Sequence, residues 1–220
     1  MKQYRPEICV YCGVTTNLTD EHAPPKLVFP EPRPSDLITV RACGPCNQAG
    51  QKDAEYFRMC LYFNKVARTA PSVIALKPAF QRSLLRPQAK GFFKALVSAL
   101  EPQDGGFRFE NKVWRIHEVI KRTIQCLYLY ETGTRLPDDH CVSVMSDLLF
   151  QSFSVEKQTE FRDTFVAPLN HVSPSVIADG QFAYSVVYMP DLSLSIWSLV
   201  FYGRLGYIGF TAPNSHATVA

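Results

Sequence analysis

Two short apolar segments followed by a helical pattern open the chain. Residues 18–23 favour a strand, which Pro24-Pro25 stops because proline lacks a backbone N–H and has a fixed φ angle. The run LITV at 37–40 indicates a second strand. From about Asn47 to Thr69, apolar residues recur at steps of three and four, which predicts a helix with Ala54, Phe57, Cys60 and Leu61 on its buried face.

The middle of the chain is predicted to be mainly helical. Residues 70–90 mix proline with lysine and arginine and favour a connecting region, whereas the alternation in 107–116 favours a hairpin that turns at 110–112. An amphipathic helix is expected from 116 to about 130, and Gly133 marks its end. Further helices are predicted at 92–100, 139–153 and 156–164.

The C-terminal part has a different pattern, rich in β-branched and aromatic residues. Turn residues separate three segments that favour strands, at 182–189, 194–202 and 205–210. They predict an antiparallel meander packed against the preceding helices. The chain is therefore expected to be an α+β protein with an N-terminal module at 1–69 and an α+β accessory domain at 70–220.

Composition fits a folded protein with a sizeable core. Of the 220 residues, 46% are hydrophobic, and the chain has neither an apolar run of membrane-spanning length nor the apolar core of a signal peptide. Seven cysteines, an odd number, suit a reducing compartment, so a cytoplasmic location is expected. The net charge is +3, and the excess of lysine and arginine lies in residues 1–90, as contact with phosphate backbones would require; ordinary surface charge is the alternative.

Four of the cysteines form two Cys-x-x-Cys pairs. Cys9 and Cys12 precede Cys43 and Cys46, and such pairs supply the four thiolates of a tetrahedral structural Zn²⁺ site. The segment between the pairs, 13–42, is longer than in a simple zinc ribbon and contains Asp20-Glu21-His22. The sequence thus predicts a zinc-bound module that displays an acid–histidine pair. The other three cysteines (Cys60, Cys126 and Cys141) are expected to be small core residues.

The order C-x2-C, an acid followed by histidine and a nearby proline, then C-x2-C-N at the start of a helix resembles the zinc-containing HNH endonucleases of bacteria. The resemblance covers about 8–60 and implies a ββα-metal active site. It implies that His22 is the general base and that Glu21 and Asn47 bind a catalytic divalent ion. Asp20 is the alternative to Glu21 as a ligand of that ion. Asp36 is the nearest candidate for the middle asparagine of the family pattern, but its spacing to Cys43 does not match.

The chemistry of phosphodiester hydrolysis suits the same residues. An imidazole with a pKa near neutrality can accept a proton from water, and a hard divalent cation can neutralise charge on the phosphate. Oxygen ligands from Glu21 and Asn47 suit Mg²⁺ or Mn²⁺, while thiolates select Zn²⁺. The alternatives are that His22 only packs in the module and that Asn47 only caps the helix.

Three functions are compatible with these features. The first is a metal-dependent endonuclease that hydrolyses DNA, which is favoured over RNA as the substrate. The second is a non-catalytic nucleic-acid-binding zinc protein with a vestigial acid–histidine pair, and the third is a structural subunit in which zinc builds an interaction surface. The second domain is expected to serve target choice, formation of a homodimer or docking of a partner protein.

Overall fold

A computed structural model describes residues 6–86, 100–103, 106–109, 112–145 and 150–215. The first part of the chain contains β1 (Leu18–Ala23), β2 (Ile38–Cys43), α1 (Gly44–Ala49), α2 (Gln51–Phe63), α3 (Pro71–Ile74) and α4 (Lys77–Leu84). The middle contains β3 (Leu100–Gln103), β4 (Gly106–Phe109) and α5 (Val113–Thr132). The C-terminal part contains β5 (His140–Met145), α6 (Val155–Phe161), β6 (Ser175–Ile177), β7 (Phe182–Met189), β8 (Leu194–Phe201) and β9 (Leu205–Pro213). The protein is therefore a mixed α+β protein, as predicted.

The N-terminal strands pair as an antiparallel ribbon, and the helices follow directly. Asp20 stands opposite Arg41 and Glu21 opposite Val40 in the register of β1 and β2. The helix predicted to extend to Thr69 is shorter in the structure. α2 ends at Phe63, and the Asn64 carboxamide then accepts hydrogen bonds from the backbone N–H groups of Val66 and Ala67. The prediction of a connecting region at 70–90 is also wrong in part, since α3 and α4 lie there.

A five-stranded antiparallel sheet forms the C-terminal part, in the strand order β5-β9-β8-β7-β6. Its three long strands confirm the predicted meander, and α6 confirms most of the helix expected at 156–164. The helix predicted at 139–153 is wrong over His140–Met145, which forms β5 and pairs with β9. The short β6 was also missed. Pairing with a strand far along the chain decides the conformation of β5, and local periodicity does not report such pairing.

The structure contains a hairpin, but it lies earlier in the sequence than the one predicted at 107–116. β3 pairs with β4, and Gly106–Phe109 is the second strand of the pair rather than the first, because α5 already begins at Val113. The helix predicted at 92–100 falls outside the described residues except for Leu100, which begins β3. The end of α5 is as predicted, since Gly133 adopts the left-handed conformation with φ of 70°.

Helix α5 connects the two halves of the protein. It packs against β1, β2 and α2 on the N-terminal side and against β5 and β9 on the C-terminal side, and one continuous core runs through all of them. Phe57 of α2 makes edge-to-face contacts with Phe201 and Tyr207, with ring centroids 5.2 and 6.1 Å away. In the described part of the chain, no helix has the length and apolar character needed to cross a membrane.

The loop between β1 and β2 is attached to the C-terminal sheet. The Tyr202 hydroxyl donates a hydrogen bond to the Val28 carbonyl, and the backbone N–H of Ala178 donates to Asp36 Oδ2 at 2.9 Å. Ala178 is fully buried, so the Asp36 carboxylate satisfies a donor that water cannot reach. This loop therefore has a fixed position beside the ribbon.

Candidate functional site

The four cysteines of the two Cys-x-x-Cys pairs come together as the sequence predicts. The sulfur atoms of Cys9, Cys12, Cys43 and Cys46 all lie within 4.8 Å of one another, and the Cys12–Cys43 Sγ–Sγ distance is 3.7 Å. Tetrahedral Zn²⁺ with bonds of about 2.3 Å separates its sulfur ligands by about 3.8 Å. These cysteines therefore can hold a metal ion such as zinc.

Backbone hydrogen bonds shape the turn that carries Cys9 and Cys12. The Gly13 N–H donates to the Cys9 carbonyl at 2.9 Å, and Gly13 has a φ of 78°, which a residue with a side chain rarely adopts. Burial acts to raise the pKa of Cys9, but the backbone hydrogen bonds with Cys43, Cys12 and Tyr11 outweigh it and lower the pKa to about 6. A thiolate at Cys9 is favoured, and thiolates are the metal-binding form.

A cleft of about 480 Å³ lies beside the cysteine cluster. β1, the loop after it, α1, α2 and α5 all contribute to its walls. Glu21, His22 and Asn47 line this one cleft, so the structure brings the three sequence-predicted site residues together. The cationic side chains that also line it are Lys26, Arg33, Lys52 and Arg122.

Glu21 is the most strongly fixed of these residues. Its Oε1 accepts hydrogen bonds from the Tyr11 hydroxyl at 2.7 Å and from Arg122 at 3.3 Å. Burial raises the pKa of Glu21 above its usual value, although Tyr11 and Arg122 act to lower it. Among the described residues, none donates a hydrogen bond to the second oxygen, Oε2. One oxygen of Glu21 is thus occupied and the other is available to a ligand.

Asn47 is also held by hydrogen bonds to one end of its side chain. Its Nδ2 donates to Thr19 Oγ1 at 3.1 Å and to the Asp20 carbonyl at 3.0 Å, which ties α1 to β1. Cys43 occupies the N-cap position of α1, so Asn47 does not cap this helix. No described residue donates to Oδ1 of Asn47, and this oxygen is the atom that can bind a cation.

His22 follows Glu21 at the end of β1 and is half-buried. Burial, followed by the positive charge of Lys26, lowers the pKa of His22 below its usual value. The neutral imidazole is therefore the prevailing form at pH 7, and that form can accept a proton.

The remaining candidates have other partners. Asp20 also lines the cleft, but its Oδ1 forms an ion pair with Arg41 across the ribbon, 2.6 Å from the guanidinium. Arg41 also reaches Glu7 at 3.3 Å, so its charge is shared by two carboxylates. Asp36 accepts a hydrogen bond from the N–H of Ala178 and does not line the cleft.

Lys26 and Lys52, by contrast, line the cleft, and no ion-pair partner lies near them among the residues that the structure describes. Their ammonium groups are the cationic side chains of the cleft that carboxylates do not neutralise.

Sequence reasoning missed the contribution of α5 to the cleft. Arg122 contacts Glu21, and its guanidinium lies 3.8 Å from the ring centroid of Tyr11. Nothing in the sequence near Arg122 distinguishes it from an exposed charge on an amphipathic helix. One feature of the sequence does hint at a close contact, because Gly50 lies within a helical pattern, where glycine is unfavourable.

Comparison with known proteins adds no relative. No protein-family profile matches the chain, and neither curated proteins nor solved structures include a match.

Proposed function

We propose that the protein is a metal-dependent endonuclease of the HNH type that hydrolyses phosphodiester bonds in DNA. The observation that carries the proposal is the gathering of Glu21, His22 and Asn47 in one cleft, beside a four-cysteine cluster and on two strands followed by a helix. The resemblance to the zinc-containing HNH endonucleases supplies the activity. In this proposal the cysteines bind structural Zn²⁺.

The oxygen atoms of the cleft fit a hard divalent cation. Glu21 Oε2 and Asn47 Oδ1 are two oxygens to which no described residue donates a hydrogen bond, and oxygen ligands suit Mg²⁺ or Mn²⁺. Such an ion, when bound, neutralises charge on the scissile phosphate and on the leaving oxygen. The hydrogen bonds on Glu21 Oε1 and Asn47 Nδ2 hold these side chains in place, so their remaining oxygens need little ordering when a ligand arrives.

His22 is the general base in this proposal. Its lowered pKa keeps the imidazole neutral at pH 7, and a free ring nitrogen accepts the proton of the attacking water. Hydrolysis leaves a 5′-phosphate and a 3′-hydroxyl, as the family resemblance implies. Lys26 and Lys52 supply positive charge along the cleft for the phosphates that flank the scissile bond.

Plasmid cleavage with Mg²⁺ or Mn²⁺ tests the proposal. Wild type is compared with His22→Ala and with the matched control His117→Ala, and zinc content is measured on all three preparations. His117 is a suitable control because burial also lowers its pKa, yet it lies outside the cleft. We expect His22→Ala to lose activity by about 10²–10⁴-fold, the usual contribution of a general base, and His117→Ala to keep it.

The other outcomes are equally informative. Equal cleavage by wild type and His22→Ala would refute the role of His22. The zinc-loaded wild type could instead bind DNA, with an affinity that falls steeply as salt increases, and not cleave it. That result would favour the non-catalytic nucleic-acid-binding protein over the nuclease.

A further inference from the structure

One guanidinium connects the Glu21 side chain with the backbone that directly precedes Asn47, the other residue proposed to bind the divalent ion. Arg122 Nη2 donates to Glu21 Oε1 at 3.3 Å and to the backbone carbonyl of Cys46 at 2.8 Å. Glu21 lies on β1, whereas Cys46 directly precedes Asn47 in α1. Arg122 therefore fixes the carboxylate of Glu21 relative to the backbone that carries Asn47.

The Arg122 side chain is itself held in one position. Its guanidinium stacks on Tyr11 with 3.8 Å to the ring centroid, and the Tyr11 hydroxyl donates to the same Glu21 oxygen. The side chains of Arg122 and Glu21 are only 20% and 13% exposed, so water competes weakly for their hydrogen bonds. Tyr11, Glu21 and Arg122 therefore each contact the other two.

Gly50 provides the space that this arrangement needs. Its backbone is helical, with φ of −84° and ψ of −10°, so its conformation does not require glycine. A Cβ atom at Gly50 would lie 2.8 Å from Arg122 Cζ and closer still to Nε, which is too close for any real contact. Glycine at this position thus lets Arg122 pass over the junction of α1 and α2 to reach Glu21.

We propose that Arg122 is a positioning residue of the divalent-ion site, which holds Glu21 Oε1 so that Oε2 is presented together with Asn47 Oδ1. The proposal rests on the function proposed above and extends it to a residue from outside the N-terminal segment. Residues that orient metal ligands through hydrogen bonds affect metal affinity without touching the ion. Arg122 and Gly50 act as a pair, since one supplies the hydrogen bonds and the other the space.

Arg115 provides a closely matched control on the same helix. Its Nε pairs with Asp53 at 2.5 Å, its Nη2 donates to the Lys52 carbonyl at 2.7 Å, and its guanidinium lies 4.5 Å from the ring centroid of Tyr56. Its side chain is 19% exposed, almost the same as that of Arg122. Arg115 therefore repeats the ion pair, carbonyl contact and aromatic stacking of Arg122 at a place that is not connected to Glu21.

The test measures Mn²⁺ binding to the zinc-loaded protein by electron paramagnetic resonance, and cleavage on the same samples. We expect Arg122→Gln to weaken Mn²⁺ binding about 10–100-fold, the usual effect of losing a hydrogen bond to a metal ligand. Arg122→Lys should recover part of the affinity, because an ammonium can keep one of the two hydrogen bonds. Gly50→Ala should weaken binding as well, although alanine is the better helix former. Arg115→Gln should bind Mn²⁺ as wild type does.

The outcomes separate this inference from the proposed function. If wild type binds Mn²⁺ and cleaves, and folded Arg122→Gln and Gly50→Ala do so equally well, the positioning role is refuted while the nuclease stands. If Arg115→Gln weakens Mn²⁺ binding as much as Arg122→Gln, the effect is general destabilisation and the positioning role is again refuted. If zinc-loaded wild type neither binds Mn²⁺ nor cleaves, the proposed function fails, and the role of Arg122 fails with it.

Discussion

Replacement of Phe57 by alanine tests whether the cysteine-bearing segment and the C-terminal sheet unfold together. Phe57 is completely buried on α2, and its ring meets the edges and faces of Phe201 and Tyr207 from β8 and β9. The side chain thus links the two halves of the core directly, and the space left by its removal would lie at their boundary.

The expected loss can be worked out from this burial. Truncating a fully buried phenylalanine to alanine costs about 3–5 kcal/mol in unfolding free energy, including the cavity that remains. A domain of this size loses about 2–4 °C in Tm per kcal/mol, so a drop of roughly 6–20 °C is expected. Leu85→Ala is the control, because Leu85 is 83% exposed and should cost less than about 0.5 kcal/mol.

Two probes report on the two halves during urea unfolding. In a Trp114→Phe background, which removes the other tryptophan, fluorescence of the fully buried Trp197 in β8 reports on the sheet. Co²⁺ bound by the cysteines gives a thiolate absorption that reports on the cysteine cluster. If the core is one cooperative unit, Phe57→Ala shifts both transitions to lower urea by the same amount. A shift seen by Trp197 with an unchanged Co²⁺ transition would refute the reasoning and show that the halves unfold separately.

Two further predictions concern the cysteine cluster and the loop after β1. Cys46→Ser should lower the zinc content measured by metal analysis, because it removes one of four ligands, whereas the control Cys141→Ser on β5 should keep full zinc. Asp36→Ala should destabilise the protein by about 1–3 kcal/mol, since it leaves the buried Ala178 N–H without an acceptor. Asp36→Asn keeps an acceptor and should lose less in the same denaturation experiment; equal losses would contradict this explanation.

Local sequence features predicted the parts of the fold that local chemistry decides. The spacing of the cysteines identified the cluster, alternation and β-branched residues identified β7, β8 and β9, and Gly133 marked the end of α5. β5 was assigned to a helix because its partner β9 lies about seventy positions further on, where its His140 faces Pro213. Pairing over such a distance leaves no trace in a short window.

The same difference between local and long-range information applies to the candidate site. Asp20, Glu21, His22 and Asn47 could be proposed from the sequence because they stand close to the cysteines, and all four line the cleft. Arg122 could not, because its role depends on how α5 packs against β1, and a charged residue on the polar face of a helix has many possible surroundings. Gly50 is an unusual residue within a helical pattern, but only the structure shows that Arg122 is the side chain beside it.

The attachment of the 24–37 loop to the C-terminal sheet also has a consequence for how the molecule folds. The hydrogen bond between Tyr202 and Val28 joins residues 174 positions apart, and the bond between Ala178 and Asp36 joins residues 142 positions apart. Contacts of such high sequence separation form late, since a long chain segment must first be closed into a loop. During synthesis, the two cysteine pairs can come together early, whereas the wall of the cleft that this loop provides has both of its anchors only after Tyr202, which follows β8, has been made. Assembly of the cysteine cluster and completion of the cleft can therefore occur at different times.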